Sequence, residues 1–334
     1  MTPPPLALLG LGFDLPPPVD VVALAAAKGV DTSGYRSWPR ACHVRGPDDQ
    51  PSTMGATALR QALDESGVSA ADLRLLIFTG VSRDYPPSWS VATEIMHLVR
   101  AGADCLGLDL TLGCAASLSA LDLAQGWLAA RGGGVAAVVA AERWSHTVDP
   151  TNPASRTWAW ADGAAAVVTG VGAAPGFAAF LGAEFTTRAD YNGHVLVRYG
   201  GTRHPVAPPG VDVATRLVSD RPRDEIRATY LAGYTAAYAA LTDRLRVHAN
   251  RLVCNQISPA VVALIAEGLG VPSSRTVLTG PELGHLGAAD IFVGLDRLRG
   301  AGLLDEPVIM GSSTAYAFGT GIVGPAEHAP ALIR

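Results

Sequence analysis

The sequence predicts an α/β protein in which mainly parallel strands are covered by helices. Three observations carry this. Short apolar or β-branched runs alternate with Ala/Leu-rich stretches of helical period along the whole chain. The alternation runs through once and then starts over, so two similar halves, 1–172 and 173–334, suggest an internal duplication. And 49% of the 334 residues are hydrophobic against 16% charged, ample for a large buried core.

In order, LALLGLGFDL reads as a first strand, and TMGATALRQALDESGV as an amphipathic helix with Leu59 and Leu63 on one face, ended near Gly67. LRLLIFTGVS is a buried strand and SVATEIMHLVRAG a helix. CLGLDLTLG is a strand running into the helix ASLSALDLAQGWLAARGG, whose core face is Leu118, Leu121 and Leu128. VAAVVAAE and AAAVVTGV are strands closing this half, and residues 171–177 are the best hinge. The second half opens with FAAFLGAEFTTR and GHVLVRYGG, read as a strand pair. DEIRATYLAGYTAAYAALTDRL is a long helix, NRLVCNQIS a strand and loop, and PAVVALIAEGLGV a helix. AADIFVGLDRLRGAG is the last helix, and PVIMGSS with YAFGTGIVG a final strand pair.

The net charge of −5 argues against a general nucleic-acid binder. The N-terminus has no basic segment before its apolar stretch, so it does not read as a signal peptide. No apolar run reaches transmembrane length, because VAAVVAAERW breaks at Glu142. Cys42, Cys105, Cys114 and Cys254 are scattered, with no CxxC and no metal-like pairing, which fits a reducing cytoplasm. No GxGxxG opens a helix after the first strand, and no His/Cys cluster has ligand spacing, so neither a dinucleotide nor a metal is expected.

Cys114 follows a predicted strand and opens a predicted helix. Taken on that segment alone, it reads either as a packed core cysteine or as a nucleophile. A thiol at a helix N-terminus is near the positive end of the dipole, which favours thiolate. Gly113, Ala115 and Ala116 leave room for a substrate carbonyl, and the Cys114 N–H could donate to an oxyanion.

Several segments together resemble the β-ketoacyl-ACP synthase III family of the thiolase fold. LTLGCAASLSALDLAQG resembles its nucleophile segment, and WADGAAAVVTG its "GDGAGAVVL" segment. LVCNQISPAVVALIAEGLGVP lies where the family has "LVPHQAN", and LGHLGAADIFVGLDRL where it has "GNTSAAS". GSSTAYAFGTGIVG resembles the glycine-rich final hairpin. The resemblance implies a thiolase-like five-layered αβαβα fold from two duplicated halves, and a homodimer. It departs from the family at one pair. Condensing members use a Cys-His-Asn set to stabilise the enolate left when malonyl-ACP loses carbon dioxide. Here the expected His is Asn255 and the expected Asn is His285. What remains is Cys114, His285 and Asp290. The five-residue step from His285 to Asp290 is not a same-face helical spacing, so the pair requires His285 outside the helix, folded back over its first turn. Gly284 and Gly287 would permit that.

This set resembles a branch of the family that transfers an acyl group from an acyl-carrier protein, or coenzyme A, to a hydroxyl on a sugar or other natural-product intermediate. The product is an ester and no carbon dioxide is lost. Antibiotic or polyketide biosynthesis is the implied setting; the alternative is a starter-unit condensing enzyme joining carbon to carbon, and a third is a non-catalytic partner subunit. By position, the backbone N–H around Thr314 is the second oxyanion donor, beside that of Cys114. Asn255, Gln256, Trp89 and Ser313 are expected to line the substrate site. Arg36, Arg40 and Arg45 match the carrier- and pantetheine-binding stretch, and Arg216, Arg221 and Arg223 form a second basic cluster. Trp158 and Trp160 precede the ADGAA turn, and His146, His194 and His204 are candidates for the acceptor channel.

Overall fold

The structure, a computed structural model, describes residues 3–43, 46–86, 88–146, 159–173, 175–211 and 216–328. The first half contains β1 (Leu6–Asp14), β2 (Pro18–Asp20), α1 (Val21–Ala27), β3 (Arg40–Cys42), α2 (Pro51–Ser66), β4 (Leu73–Phe78), α3 (Val91–Val99), β5 (Leu106–Asp109), α4 (Ala116–Ala129), β6 (Gly134–Arg143) and β7 (Asp162–Val171). The second contains β8 (Ala178–Thr187), β9 (Val195–Val197), β10 (Arg216–Val218), α5 (Arg223–Leu245), β11 (Leu252–Cys254), α6 (Pro259–Gly268), α7 (Gly280–Leu283), α8 (Asp290–Gly300), β12 (Val308–Thr314) and β13 (Ala317–Gly324).

Nine strands form one sheet in the order β11-β12-β13-β8-β1-β7-β6-β4-β5. Read inward from either edge, the connectivity is the same. On one side it is β5-β4-β6-β7-β1; on the other it is β11-β12-β13-β8, with Thr276 bridging Leu252 in parallel where a counterpart of β5 belongs. β1 and β8 pair antiparallel at the middle. The expectation of mainly parallel strands is corrected here. β4 pairs in parallel with β5 and β6, and β11 with β12, but the other five pairings of the sheet are antiparallel. The reason is connection type. β12 turns into β13 through Ala315 and Tyr316 alone, whereas a parallel neighbour needs a crossover. The expected strand pair at 177–201 does not form either. β8 lies between β13 and β1, and β9 pairs with β10 in a separate two-stranded ribbon.

Packing gives the layers. Gly10 and Gly12 let α2 lie hard against β1: a Cβ at either would meet the Ala62 or Ala58 carbonyl oxygen at 2.4 or 2.0 Å. α2 ends at Gly67, whose φ of +68° a side chain would oppose. α4, with Leu118, Leu121 and Leu128 fully buried, packs on β6 and β7 and also on β8 and β13; α8 packs on β11, β12 and β7. These two helices therefore form a middle layer shared by both halves. On β13, Phe318 meets α5 at Tyr230, Tyr234 and Gly233, while a Cβ on Gly319 would face Leu118 of α4, so α5 covers the opposite face.

Candidate active site

The strand-to-helix crossovers that end in α4 and α8 deliver the chemistry. Beyond β5, the Leu110 N–H donates to the Phe78 carbonyl at 2.8 Å and the chain turns at Gly113. Gly113 has φ +52°, and a Cβ there would meet the Thr314 side chain at 2.8 Å, so only glycine fits. Cys114 sits in the single 3-10 turn Gly113–Ala115 ahead of α4, one turn before the expected helix start. It is half-buried, whereas Cys42, Cys105 and Cys254 are buried. Burial pushes the Cys42 thiol up to about 12 and that of Cys105 to about 11, and holds Cys254 well above its ordinary range.

The matching turn in the second half is Gly287–Ala289, ahead of α8. Before it, His285 is clamped by backbone: its N–H donates to Ala159 O at 2.7 Å, and Ala161 N–H donates to His285 O at 3.0 Å. Gly284 and Gly287, at φ +79° and +64°, fold the loop back over the first turn of α8. There the Asp290 carboxylate accepts from Leu286 N at 2.9 Å and Gln256 N at 2.7 Å, and lies 2.5 Å from His285 Nδ1. His285 Nε2 lies 3.4 Å from Cys114 Sγ. Cys114, His285 and Asp290, separated by 171 and 5 positions, thus form one hydrogen-bonded row. His285 and Asp290 are each 1% exposed. Burial alone would lower the His285 pKa. The Asp290 carboxylate, the Cys114 sulfur and the hydrogen bonds to both outweigh it and push it up to about 10.

Asn255 and Gln256, expected to contact substrate, are corrected. Both are buried and held by protein groups. Asn255 donates to Gly287 O at 3.0 Å and accepts from Ser313 N at 2.8 Å, tying the His285 loop to β12. Ser312 Oγ lies 2.7 Å from Cys114 O and 2.9 Å from Asn255 Oδ1. Gln256 donates to Cys254 O and accepts from Thr279 and Gly280 N–H, bracing α7. An amide in a short loop after a strand serves the backbone around it, because the loop's carbonyls and N–H groups would otherwise be buried unpaired.

Cys114 and His285 open into a cavity of about 850 Å³. Gly113, Ser313 and Thr314 line it from one side, Trp144 and Trp160 from another, and β9, Tyr230 and the start of α6 from a third. Trp160 stacks at a tilt on His285, ring centroids 5.2 Å apart. Trp89 does not line it; that ring packs edge-on against Tyr85 and against the core under α3. Arg223, first residue of α5, lines the cavity, and exposed Arg36 adjoins Ser37, which also lines it. Arg40 is exposed, lies off the cavity and donates to Pro18 O. Arg221 is paired to Glu225 at 2.6 Å and stacked 4.1 Å over Tyr191, a structural tie instead of an open docking group. His204 is exposed in a turn, and His194 lines the cavity. Arg45, Trp158 and the side chains of His146 and Arg216 lie outside the described residues.

Glu142, passed over as a site residue in the sequence, is fully buried at the site. Its carboxylate accepts from Val81 N, Ser82 N and Ser82 Oγ at 2.8–2.9 Å and packs where a Cβ on Gly287 would fall. Burial pushes its pKa up to about 7 against those hydrogen bonds and the charge of His285. The available signal was an acid inside an apolar strand. Among the described residues no group of His, Cys, Asp and Glu is arranged to hold a metal, and no helix is long and apolar enough to cross a membrane.

Residues 108–188 match the family model of 3-oxoacyl-[acyl-carrier-protein] synthase III. A β-ketoacyl-[acyl-carrier-protein] synthase III of Sphingopyxis alaskensis is 28% identical over 284 residues, 81% of this chain and 83% of its own length. A 3-oxopimeloyl-[acyl-carrier-protein] synthase of Brucella abortus is 27% identical over 331 residues, 96% of each chain. Among solved structures, a 3-oxoacyl-(acyl-carrier-protein) synthase III superposes with TM-score 0.82 at 17% identity, covering 96% of this chain and all of the other. ChlB3, an acyltransferase, superposes with TM-score 0.77 at 24% identity, covering 98% and 100%. At these identities the superpositions establish the thiolase fold.

Proposed function

We propose that this chain is a β-ketoacyl-ACP synthase III-like enzyme of the thiolase fold that moves an acyl group from a carrier thioester to a hydroxyl, making an ester without decarboxylation. One observation carries the proposal. A single imidazole, backed by a carboxylate, faces the thiol, while Asn255, at the position of the second enolate-stabilising residue, is built into the wall.

The steps follow from the geometry. The proton shared by Cys114 and His285 is held on Nε2, where the raised pKa keeps it, as Cys114 Sγ attacks the thioester carbonyl. The tetrahedral oxyanion is held by the backbone N–H groups of Cys114 and Thr314. Its collapse expels the carrier thiolate, which takes the proton from His285 and leaves an acyl group on Cys114. Asp290 fixes the imidazole at Nδ1 and stabilises imidazolium. Acylation removes the sulfur's contribution to holding the proton on His285, so more of the imidazole is neutral and free to take a proton in the second step. It takes the proton of the acceptor hydroxyl, whose oxygen attacks the acyl carbonyl; Cys114 leaves with that proton and the ester is released.

The donor is an acyl-carrier protein or coenzyme A, for which Arg223 and Arg36 at the cavity and Arg40 further out supply positive charge in a chain of net charge −5. Ser313 is a substrate contact in the same cavity. A homodimer fits an unpaired edge at β5, where Leu106 and Leu108 are about 40% exposed.

The names of the relatives favour one other reading, carbon–carbon condensation with malonyl-ACP. The deciding experiment mixes the protein with acyl-carrier protein, labelled malonyl-ACP and a panel of alcohols. Ester formation seen by mass spectrometry without labelled carbon dioxide is the expected result; carbon dioxide release with a β-ketoacyl product overturns it.

A further inference from the structure

The catalytic row lies on the repeated α/β core, but the cavity has a second imidazole that belongs to neither crossover. His194 stands just before β9, on the connection between β8 and α5. It is 7% exposed and faces the same cavity as Cys114 and His285. Its position is built. Its N–H donates to Tyr191 O, its carbonyl accepts from Ser219 N–H, and its Nδ1 lies 2.6 Å from Ser219 Oγ. Tyr191, fully buried, in turn donates to Glu225 and accepts from Thr229, both on α5. Nε2 has no hydrogen-bond partner among the described residues.

We propose that His194 is the acceptor-binding residue, presenting Nε2 to the incoming hydroxyl, and that the acceptor is an alcohol with an apolar body. The inference rests on the O-acyl-transfer reading and names its acceptor class. Ser219 engages Nδ1, so Nε2 is left with one polar role, donor or acceptor according to tautomer, and a hydroxyl can answer either. Burial and neighbouring Arg221 keep the ring below its ordinary pKa, hence neutral. Around it Val195, Leu196, Val197, Ile226 and Ile257 make the wall apolar. The cavity also holds Arg223, Ser258, Ser313 and Thr314, but where apolar side chains surround His194 a hydroxyl on a hydrophobic skeleton is recognised better than a polyol, whose further hydroxyls would be buried unpaired.

The test separates the two half-reactions. Acetyl-CoA acylates Cys114, and breakdown of the acyl-enzyme is followed by intact mass against rising 2-phenylethanol, with methyl glucoside as the polyol control. In the unmodified protein the aromatic alcohol should speed breakdown saturably and yield its acetate, and the glucoside should not. His194→Ala should raise the half-saturating alcohol concentration at least tenfold while changing acylation of Cys114 less than twofold. His194→Gln, which keeps a polar group near Nε2, should recover most of that loss; Ser219→Ala should give an intermediate effect. Equal response of His194→Ala and the unmodified protein overturns the assignment of His194. Acceleration by the glucoside alone overturns the apolar class, and no acceleration by either alcohol overturns the acceptor site. Carbon dioxide release from malonyl-ACP is the separate result that would remove the underlying reading.

Discussion

Three side chains carry the proposed chemistry, and only one of them declares itself locally. Cys114 is flanked by small residues at a helix start, and the fold leaves it half-buried while burying the other three thiols. Iodoacetamide should therefore label Cys114 well ahead of Cys42, and Cys114→Ala should abolish the acyl-enzyme mass shift. Asp290→Asn keeps the shape of the carboxylate but removes its charge. It should lower the rate of acyl transfer roughly 10²–10⁴-fold with little change in donor binding, measured as kcat against KM. The His285–Asp290 spacing was legible in sequence only as a pair that needed the loop to fold back. Gly284 and Gly287 at positive φ provide that fold. Glu142 was visible as a charge in an apolar run, but its proximity to the His285 loop was not, because β6 and that loop are far apart along the chain.

At the scale of elements, the site is the meeting of two equivalent crossovers. The turn 113–115 enters α4 and the turn 287–289 enters α8, and the two turns touch because both helices share the middle layer. Asn255 ties the second turn to β12, joining Gly287 O to Ser313 N, and Ser312 Oγ, between Asn255 Oδ1 and Cys114 O, links it to the first. Asn255→Ala would leave these backbone groups buried without that partner and should cost about 1–3 kcal/mol in urea unfolding, with a slower transfer step. The family resemblance placed this loop near Cys114 and His285 and assigned its amides to substrate. Which way a short loop's side chain turns depends on the unpaired backbone groups around it, and those come from β12 and α8, absent from the local pattern. Trp89 failed for a related reason: an aromatic near a turn is apolar enough for core or cavity, and the core under α3 took it.

The whole molecule should carry a pH signature. Glu142 has a folded pKa raised from 4.5 to about 7, so the folded state holds that proton more tightly than the unfolded chain. Its contribution to stability is greatest below about pH 4.5 and is lost as pH rises through about 7. His285, raised from 6.5 to about 10, adds stability that is full below about pH 6.5 and is lost as pH rises through about 10. Thermal melting should therefore fall across both windows. Glu142→Gln should flatten the lower one and Asp290→Asn the upper. Sedimentation should show a dimer, and charged replacements Leu106→Lys with Leu108→Lys should give monomer if the β5 edge is the interface.

At this scale the α/β alternation, the helix read at 53–68 and found at 51–66, and the final hairpin were legible because each is a local periodicity ended by a turn residue. The division at 172/173, which we propose as the seam of the repeat, was suggested by the restart of the pattern. Strand direction was not legible, since hairpin and crossover neighbours carry the same apolar run. By itself, then, the sequence determined the element types, the small residues that let α2 lie on β1 and the backbone at Gly113 approach Thr314, and the exchange of residues at 255 and 285. Only the tertiary structure decided that His285 meets both Cys114 and Asp290, that Asn255 is scaffold, and that His194 faces the same cavity. Those are contacts between residues tens to hundreds of positions apart, set by how two crossovers and a ribbon pack around one middle layer, and periodicity along a chain carries no record of that.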